Sequence, residues 1–553
     1  MTGGRKPVEM ELKLVLPGPE AEAATIEKMT EQGYRIKELK PVTNVDLYLD
    51  TFDWLLMKRK MSLRYRFSDG KAMYTIKSLG PIEGGIARRL EIETLLDGPV
   101  DVPVNIPVKQ IRSSIEEVIF PRKLLEQIQI RTDRRRYRVI SPERAKFELA
   151  FDTAGFLLKG FNKPRGARKL HELEAELLAG PPAALNALSA LLSATLGYPP
   201  SQVSKFELAV ERFKIVVPSK RPPDKFLVRP DDRLDLAVRK IMTHQLNRFR
   251  EQIPGIRQDI DTEFVHQARV TTRRLRSSLR LFRAAVPQTT GEFLAGELKW
   301  LGGLLGAVRD LDVFLLNLSR FREQVKSFPG KQKKYFANWI GEHRRGPLAN
   351  LIQALDSPRY KNFEQRLNRF LQGPLPRSPR APLALKQVSE VAPELITEKF
   401  AAVIKQGHAV LADPKIKQFH ALRIQMKKLR YACEFLAPAY SGGLDPFIER
   451  TVEIQDCLGD IQDTVFTSNF IESLLEDWKR RIVDPDLLFV LGELYQLQGE
   501  IAAERRQRFG AIWGRFSSQE TTRELKEITA GSPPPKEKGT VASGRDENNL
   551  KDS

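Results

Sequence analysis

VEMELKLVLP, residues 8–17, alternates without a break: Glu9, Glu11 and Lys13 fall on one side, Met10, Leu12 and Leu14 on the other. Side chains of a β-strand point in turn to its two faces, so two carboxylates and an ammonium share one face, with the acids about 7 Å apart. A wetted strand face is served equally well by Thr or Ser. The other strand-like segments nevertheless repeat the choice of formal charge. SLRYRF gives Arg64 and Arg66 one face against Leu63, Tyr65 and Phe67, and YTIKS sets Lys77 beside Thr75. RRLEIETL lines Arg89, Glu91 and Glu93 against Leu90 and Ile92, and TDRRRYRV puts Arg134 and Arg136 together. FELAFD pairs Glu148 with Asp152, and HELEAELL stacks Glu172, Glu174 and Glu176 opposite Leu173, Ala175 and Leu177.

The signs sort by strand, some purely basic at these positions and others acidic. If such faces met inside a closed barrel, each charge would cost several kcal/mol unless neutralised. A polyphosphate with its divalent metal satisfies both signs: carboxylate oxygens are hard ligands suited to Mg²⁺ or Mn²⁺, and Arg and Lys read phosphate oxygens. An open sandwich with its charged faces in water gives the same alternation, and the pattern alone does not choose.

The 553 residues, 41% hydrophobic, are ample for two domains with cores of their own. A net charge of +20 points to a polyanionic partner: nucleic acid, a phosphate polymer or an anionic surface. Two cysteines, Cys433 and Cys457, make neither a disulfide framework nor a metal-ligand spacing, which suits a reducing cytoplasm. MTGGRKPVEMELKL lacks an apolar signal core, and no run is long enough to span a bilayer, so no membrane partner is expected.

Strand-like punctuation holds to about residue 210, with one helix expected over EAEAATIEKMTEQG and Gly33 as its stop. Residues 216–230, VVPSKRPPDKFLVRP, read as a linker. From 231 to 516 the period is helical, divided by QGPLPRSPRAPL into copies at about 231–371 and 384–516. The polar residues 517–553, containing SPPPKEKG, are expected to be a disordered tail.

The ordered set ExExK on the first strand, NVDLYLDTFDWLL, SLRYR, a lone strand lysine, RxExE and HELEAELL resembles the CYTH family, the triphosphate tunnel metalloenzymes, over residues 1–215. The resemblance implies an eight-stranded antiparallel β-tunnel. It implies metal ligation by Glu9, Glu11, Glu172 and Glu174, with Asp152 and Glu176 as further candidates, the metal being Mg²⁺ or Mn²⁺. Phosphate binding falls to Lys13, Arg64, Arg66, Lys77, Arg89, Arg134 and Arg136. Lys205, in SKFELAVERF, matches a C-terminal Ser-Lys that places a lysine near the tunnel mouth and joins Glu9, Glu11 and Lys13 in the expected catalytic set; a solvated helix lysine fits the spacing equally. The chemistry implied is hydrolysis of a terminal phosphoryl group without a nucleophilic Ser or Cys. ATP cyclisation also occurs in the family.

The helical half repeats itself. HQARVTTRRLR and HALRIQMKKLR place His266, Arg269, Arg273 and Arg276, then His420, Arg423, Lys427 and Arg430, at one spacing, the histidines 154 residues apart. Each set falls within an arc of roughly 80° on a helix. LGAVRD and LGDIQD follow at nearly the same offset, so the half reads as a duplicated helical bundle in which each row of like charges invites a multivalent anion. Asp310 and Asp463 suit orienting the bases. This half resembles the CHAD domain, which implies binding of inorganic polyphosphate. The expected protein is therefore α+β, a β-tunnel followed by an all-α bundle: a cytoplasmic, metal-dependent triphosphatase with a polyphosphate-binding half, or a non-catalytic scaffold associated with polyphosphate granules. No helix-turn-helix, zinc finger or RNP-type pattern supports a nucleic-acid partner.

Overall fold

The structure, a computed structural model, describes residues 11–79, 86–87, 91–101, 104–159, 165–215, 228–324, 330–373, 381–441, 443–478 and 485–531. Within these, the side chains of 86–87, 91, 318–324, 330–333 and 477 lie outside the description. The chain forms two compact units, Met1–Pro222 and Pro223–Ser553.

The first unit is built on one antiparallel sheet. Its strands are β1 (Glu11–Val15), β2 (Arg35–Asp50), β3 (Met61–Ser68), β4 (Lys71–Ser78), β5 (Ile86–Ala87), β6 (Glu91–Leu96), β7 (Leu125–Ile140), β8 (Lys146–Leu158) and β9 (Arg165–Ala179). They hydrogen-bond in the order β5-β1-β9-β8-β7-β2-β3-β4-β6. The two outermost strands are consecutive in sequence. Ala87 and Glu91 are four residues apart and lie within about 14 Å of each other, because an extended chain covers at most 3.6 Å per residue. This run thus pairs through residues 86–87 with β1 at one edge of the sheet and through residues 91–96 with β4 at the other. Its edges meet, and the sheet closes into a barrel of eight strands when that run is counted once.

The apolar faces point outward. Leu12 and Leu14 pack with Leu149, Phe151, Leu173 and Ala175 under the helices α1 (Ala21–Glu31) and α4 (Ala183–Leu196), against Met29, Leu185, Leu188 and Leu192. Gly33, at φ +80°, turns the chain out of α1 as expected. On the other flank Leu63, Tyr65, Tyr74 and Ile76 meet Leu56 of α2 (Leu55–Lys58) and Ile111 and Ile115 of α3 (Lys109–Ile119). The charged faces therefore point into the barrel, the closed alternative that alternation left open. A short helix, α5 (Lys205–Arg212), lays Phe206, Ala209 and Val210 on Ile128, Ile130, Ala154, Phe156 and Leu170. Those strand positions share the inward parity of Thr132, Arg134 and Asp152, so α5 stoppers one end of the tunnel.

The second unit contains two runs of five α-helices among the described residues. The first is α6 (Leu234–Arg257), α7 (Thr262–Leu281), α8 (Gln288–Gln324), α9 (Gly330–Asp356) and α10 (Pro358–Gln372). The second is α11 (Val388–Ala412), α12 (Ile416–Leu436), α13 (Asp445–Trp478), α14 (Pro485–Phe516) and α15 (Gln519–Ala530). Leu234 and Val388, Thr262 and Ile416, and the 3₁₀ turns starting at Arg283 and Ala437 all stand 154 residues apart. An antiparallel bridge between Arg233 and Gln387 ties the two beginnings together.

One boundary differs from the expectation. The disordered tail assigned from residue 517 begins instead with a packed helix: Ser518 caps α15, and Thr521, Leu525 and Thr529 are buried. It answers to α10, which starts from a Ser357 cap in the same way. The second copy needs this helix to cover the counterpart of the surface that α10 covers in the first. The remainder of the expected tail, 532–553, lies outside the described residues.

Candidate functional sites

Strand register sets the tunnel chemistry. Lys13 stands opposite Glu174, Asp46 opposite Arg66, and Arg134 opposite Asp152, each a cross-strand pair of unlike charge. They line a cavity of about 250 Å³ that gathers ten of the expected positions, Glu11, Lys13, Arg64, Arg66, Lys77, Arg134, Asp152, Glu174, Glu176 and Lys205, whereas Glu172 is not among its lining residues. Asp46, Tyr48, Glu93, Thr132 and Glu148 join them. Arg136 is not in that lining; its guanidinium donates to the Lys40 carbonyl at 3.2 Å and faces Glu148 at 3.6 Å. Glu9 and the Arg89 side chain lie outside the described residues.

Three carboxylates converge. Asp152, Glu172 and Glu174 each offer an oxygen within 4.8 Å of the others, the one such group of potential metal ligands among the described residues. Glu11 and Glu176, opposite each other on β1 and β9, stand further along the tunnel. Glu172 has no exposed surface, and its Oε1 has no hydrogen-bond partner. Burial pushes the Glu172 carboxyl up, against the fields of Lys205 and Lys13. Burial also works to raise Glu174, but Lys13, Lys205 and Arg134 overcome it and hold that carboxyl well below the usual range. An orphaned buried oxygen and hard oxygen donors at this spacing fit a divalent cation. The Lys205 ammonium contacts all three, at 2.9 Å from Asp152, 2.5 Å from Glu172 and 2.6 Å from Glu174. A capping box of Ser204 and Glu207 fixes the first turn that carries it.

The basic residues are set by the same acids. Arg134 forks onto Asp152 at 2.7 Å through both nitrogens and reaches Glu174 as well. Asp46, which the sequence reading did not single out, takes two hydrogen bonds from Arg66 at 2.6 and 2.8 Å. Burial alone works to lower Lys13, Lys205 and Arg66; the facing carboxylates reverse this and keep all three charged. These groups supply positive charge and are not proton acceptors at neutral pH.

In the second unit α7 and α12 pack against each other, which brings the two basic stripes to one place. Arg269 pairs with Asp310 of α8 at 3.2 Å, and Arg423 lies in the field of Asp463 of α13, its counterpart. Arg273 crosses from the first copy to the second, donating from Nε to the Tyr431 hydroxyl at 2.7 Å. Lys427 sits within the fields of Arg423, Arg273 and Arg269. The stripes part at their ends. Arg276 neighbours Arg280, Arg430 donates to Glu434 and Gln455, and the exposed His420 meets Gln462 at 2.7 Å. His266, half-buried, opens the stripe on α7. Arg309, in LGAVRD, is a further member, within the field of Arg269 and Asp463; the second copy has Gln462 in its place.

Comparison with known proteins agrees with this division. The CYTH domain family matches residues 8–206 and the CHAD domain family residues 240–472. Two uncharacterized proteins from strains of Mycobacterium tuberculosis are 27% identical over 265 residues, covering 45% of this chain and 47% of theirs. The chain thus spans about half the length of the curated relatives it matches. Among solved structures, the CHAD domain of Ricinus communis is 24% identical, with a TM-score of 0.44, over 52% of this chain and 93% of its own. A candidate adenylyl cyclase from Hippeastrum, described as having a dominant triphosphatase activity, is 23% identical, with a TM-score of 0.28, over 38% of this chain and 99% of its own. With a CYTH domain over the closed β-barrel and a CHAD domain over the duplicated helices, the chain belongs to the CYTH–CHAD proteins.

Proposed function

We propose that the tunnel hydrolyses inorganic triphosphate or a related triphosphate with Mg²⁺ or Mn²⁺, and that the CHAD domain binds inorganic polyphosphate. The observation that carries the first half is one cavity lined by Asp152 and Glu174 of the carboxylate trio, with Glu172 beside them, and by a facing row of Arg64, Arg66, Lys77, Arg134 and Lys13. Asp152, Glu172 and Glu174 would hold the metal, which supplies a Lewis acid for phosphate oxygens and acidifies a bound water. The arginines and lysines orient the phosphate chain and stabilise the charge that gathers on its oxygens as water attacks the terminal phosphorus and the anhydride oxygen departs. Fixed positive charge suits that task, and Lys13, Lys205 and Arg66 are all held protonated.

The cavity favours an inorganic substrate. Tyr48, the one aromatic among the described lining residues, already stacks one ring face on Phe206 at 4.5 Å. Phosphate release from triphosphate, ATP and long polyphosphate, with Mg²⁺ or Mn²⁺ and then EDTA, tests the reading. Metal-dependent release, fastest from triphosphate, is expected; no release from any of the three refutes it.

One observation favours a second reading, a non-catalytic polyphosphate-binding scaffold: the Lys205 ammonium occupies the carboxylate trio. Tight triphosphate binding without turnover in the same assay identifies that case. The two cysteines are buried and unpaired, in keeping with a cytoplasmic setting, and no helix among the described residues is long and apolar enough to cross a membrane.

A further inference from the structure

The crossing of α7 and α12 collects cations in excess of their counter-charges. Arg269 and Arg273 face it from α7, Arg423 and Lys427 from α12, and Arg309 adjoins them from α8. The acids are Asp310 of α8, paired with Arg269 at 3.2 Å, Asp312 of α8, shared by Arg309 and by Arg344 at 2.5 Å, Glu263 of α7, which also acts on Arg309, and Asp463 of α13, shared by Arg423, Lys427 and Arg309. Two donors at the crossing, Arg423 Nε and Arg309 Nη1, are buried with no hydrogen-bond partner. Buried donors without acceptors, inside an excess of like charge, mark the seat of an anion.

The duplication is imperfect at one telling position. Where the first copy has Arg273, the second has Lys427. A guanidinium cannot give up its proton in a protein, whereas an amine pressed by burial and by like charges can. Of the five cations at the crossing, Lys427 is therefore the one able to relieve the repulsion by becoming neutral.

We propose that the CHAD crossing binds its phosphate ligand together with one proton, which is taken up by the Lys427 amine. This rests on the reading of the domain as a polyphosphate binder and adds a regulation to that site: acidification tightens binding. Burial, then Arg423, Arg273 and Arg269, push the half-buried Lys427 down to about 7, with Asp463 the opposing influence. An incoming polyanion reverses that field. Below this value the amine already carries its proton and affinity is at its plateau. Above it, each binding event must draw a proton from solution, and affinity falls by up to about tenfold per pH unit.

Titration of the full-length protein with a short inorganic polyphosphate of defined length, by calorimetry with EDTA present, tests this. At pH 8, in buffers of different ionisation enthalpy, wild type is expected to take up close to one proton, and at pH 6 almost none. Lys427→Arg keeps the charge permanently; it should bind at pH 8 more tightly than wild type and with a flatter pH profile. Any pH dependence that persists in that variant arises from groups other than Lys427. Lys427→Met should bind weakly at both values. Equal proton uptake in wild type and Lys427→Arg overturns the proton coupling while leaving polyphosphate binding intact. Absence of binding at pH 6 in all variants overturns the polyphosphate reading itself.

Discussion

Lys205 reaches back 33 residues to place its ammonium 2.5 Å from Glu172 Oε2, a carboxylate with no exposed surface. The same nitrogen serves Asp152 and Glu174, so one side chain neutralises much of a buried acidic cluster. Removing one partner of a buried ion pair costs about 3–5 kcal/mol, because the remaining charge has neither water nor counter-ion. In EDTA, Lys205→Met should therefore lower the melting transition of the first unit by roughly 10 °C. Mn²⁺ should restore more of that loss in the variant than it adds to wild type. Calorimetric scans with and without the ion measure both effects, and an unchanged transition in EDTA would refute the shared-cation arrangement.

Glu172→Gln should behave in the opposite sense. The glutamate carries an orphaned oxygen and a carboxyl raised by burial, so the charged form is held at a cost. A neutral amide keeps an acceptor for Lys205 and sheds that cost. Metal-free stability should then stay within about 1 kcal/mol of wild type, the typical effect of a single substitution, and well short of the roughly 3–5 kcal/mol of an uncompensated buried charge. Thermal stabilisation by Mn²⁺ should shrink by about 1.4 kcal/mol for each tenfold loss of affinity. A fully retained Mn²⁺ shift would remove Glu172 from the proposed ligand set.

Much of this tunnel was legible in the sequence because strand alternation fixes which side chains share a face. Asp46 could have been found the same way: NVDLYL sets Asn44, Asp46 and Tyr48 opposite Val45, Leu47 and Leu49, and the structure puts the first three in the tunnel lining. Curvature was not legible. Alternation is identical in an open sandwich, and closure depends on one run pairing with both β1 and β4, a contact between residues far apart in sequence. Lys205 belongs between these cases. The Ser204-to-Glu207 spacing announces a helix start, but only the packing of Phe206 at the tunnel end aims the lysine inward. In the helical half the repeat gave the two stripes, while their meeting follows from the pairing of α7 with α12.

Asp46 and Arg66 supply a pH test. Burial on its own raises the Asp46 carboxyl, yet Arg66, Arg64 and Arg134 hold it below the ordinary carboxylate range. A carboxyl lowered in the folded state contributes stability that is present above its unfolded value, near 3.9, and is lost as pH falls through the lower folded value. Asp46→Asn leaves the Arg66 guanidinium without its counter-charge and should cost about 3–5 kcal/mol at pH 7. Urea unfolding at pH 7 and pH 3 measures the gap, which should narrow at pH 3. A gap as wide at pH 3 as at pH 7 would mean that the pair contributes shape and not charge.

The last helix can be weighed against the tail that follows it. Leu525 is 2% exposed, Ser518 caps the helix, and Glu524 pairs with Arg450 of α13. Truncating a buried leucine to alanine costs about 2–5 kcal/mol through lost transfer energy and the cavity left behind. A chain ending after Gly531 should therefore melt with wild type, whereas one ending after Phe516, or full-length Leu525→Ala, should show a lowered transition for the helical unit. If α15 completes the second repeat as α10 completes the first, the Phe516 truncation should also expose the α11 surface that α15 covers, and bind a hydrophobic dye at temperatures where wild type does not. Identical melting of the two truncations would return residues 517–531 to the tail.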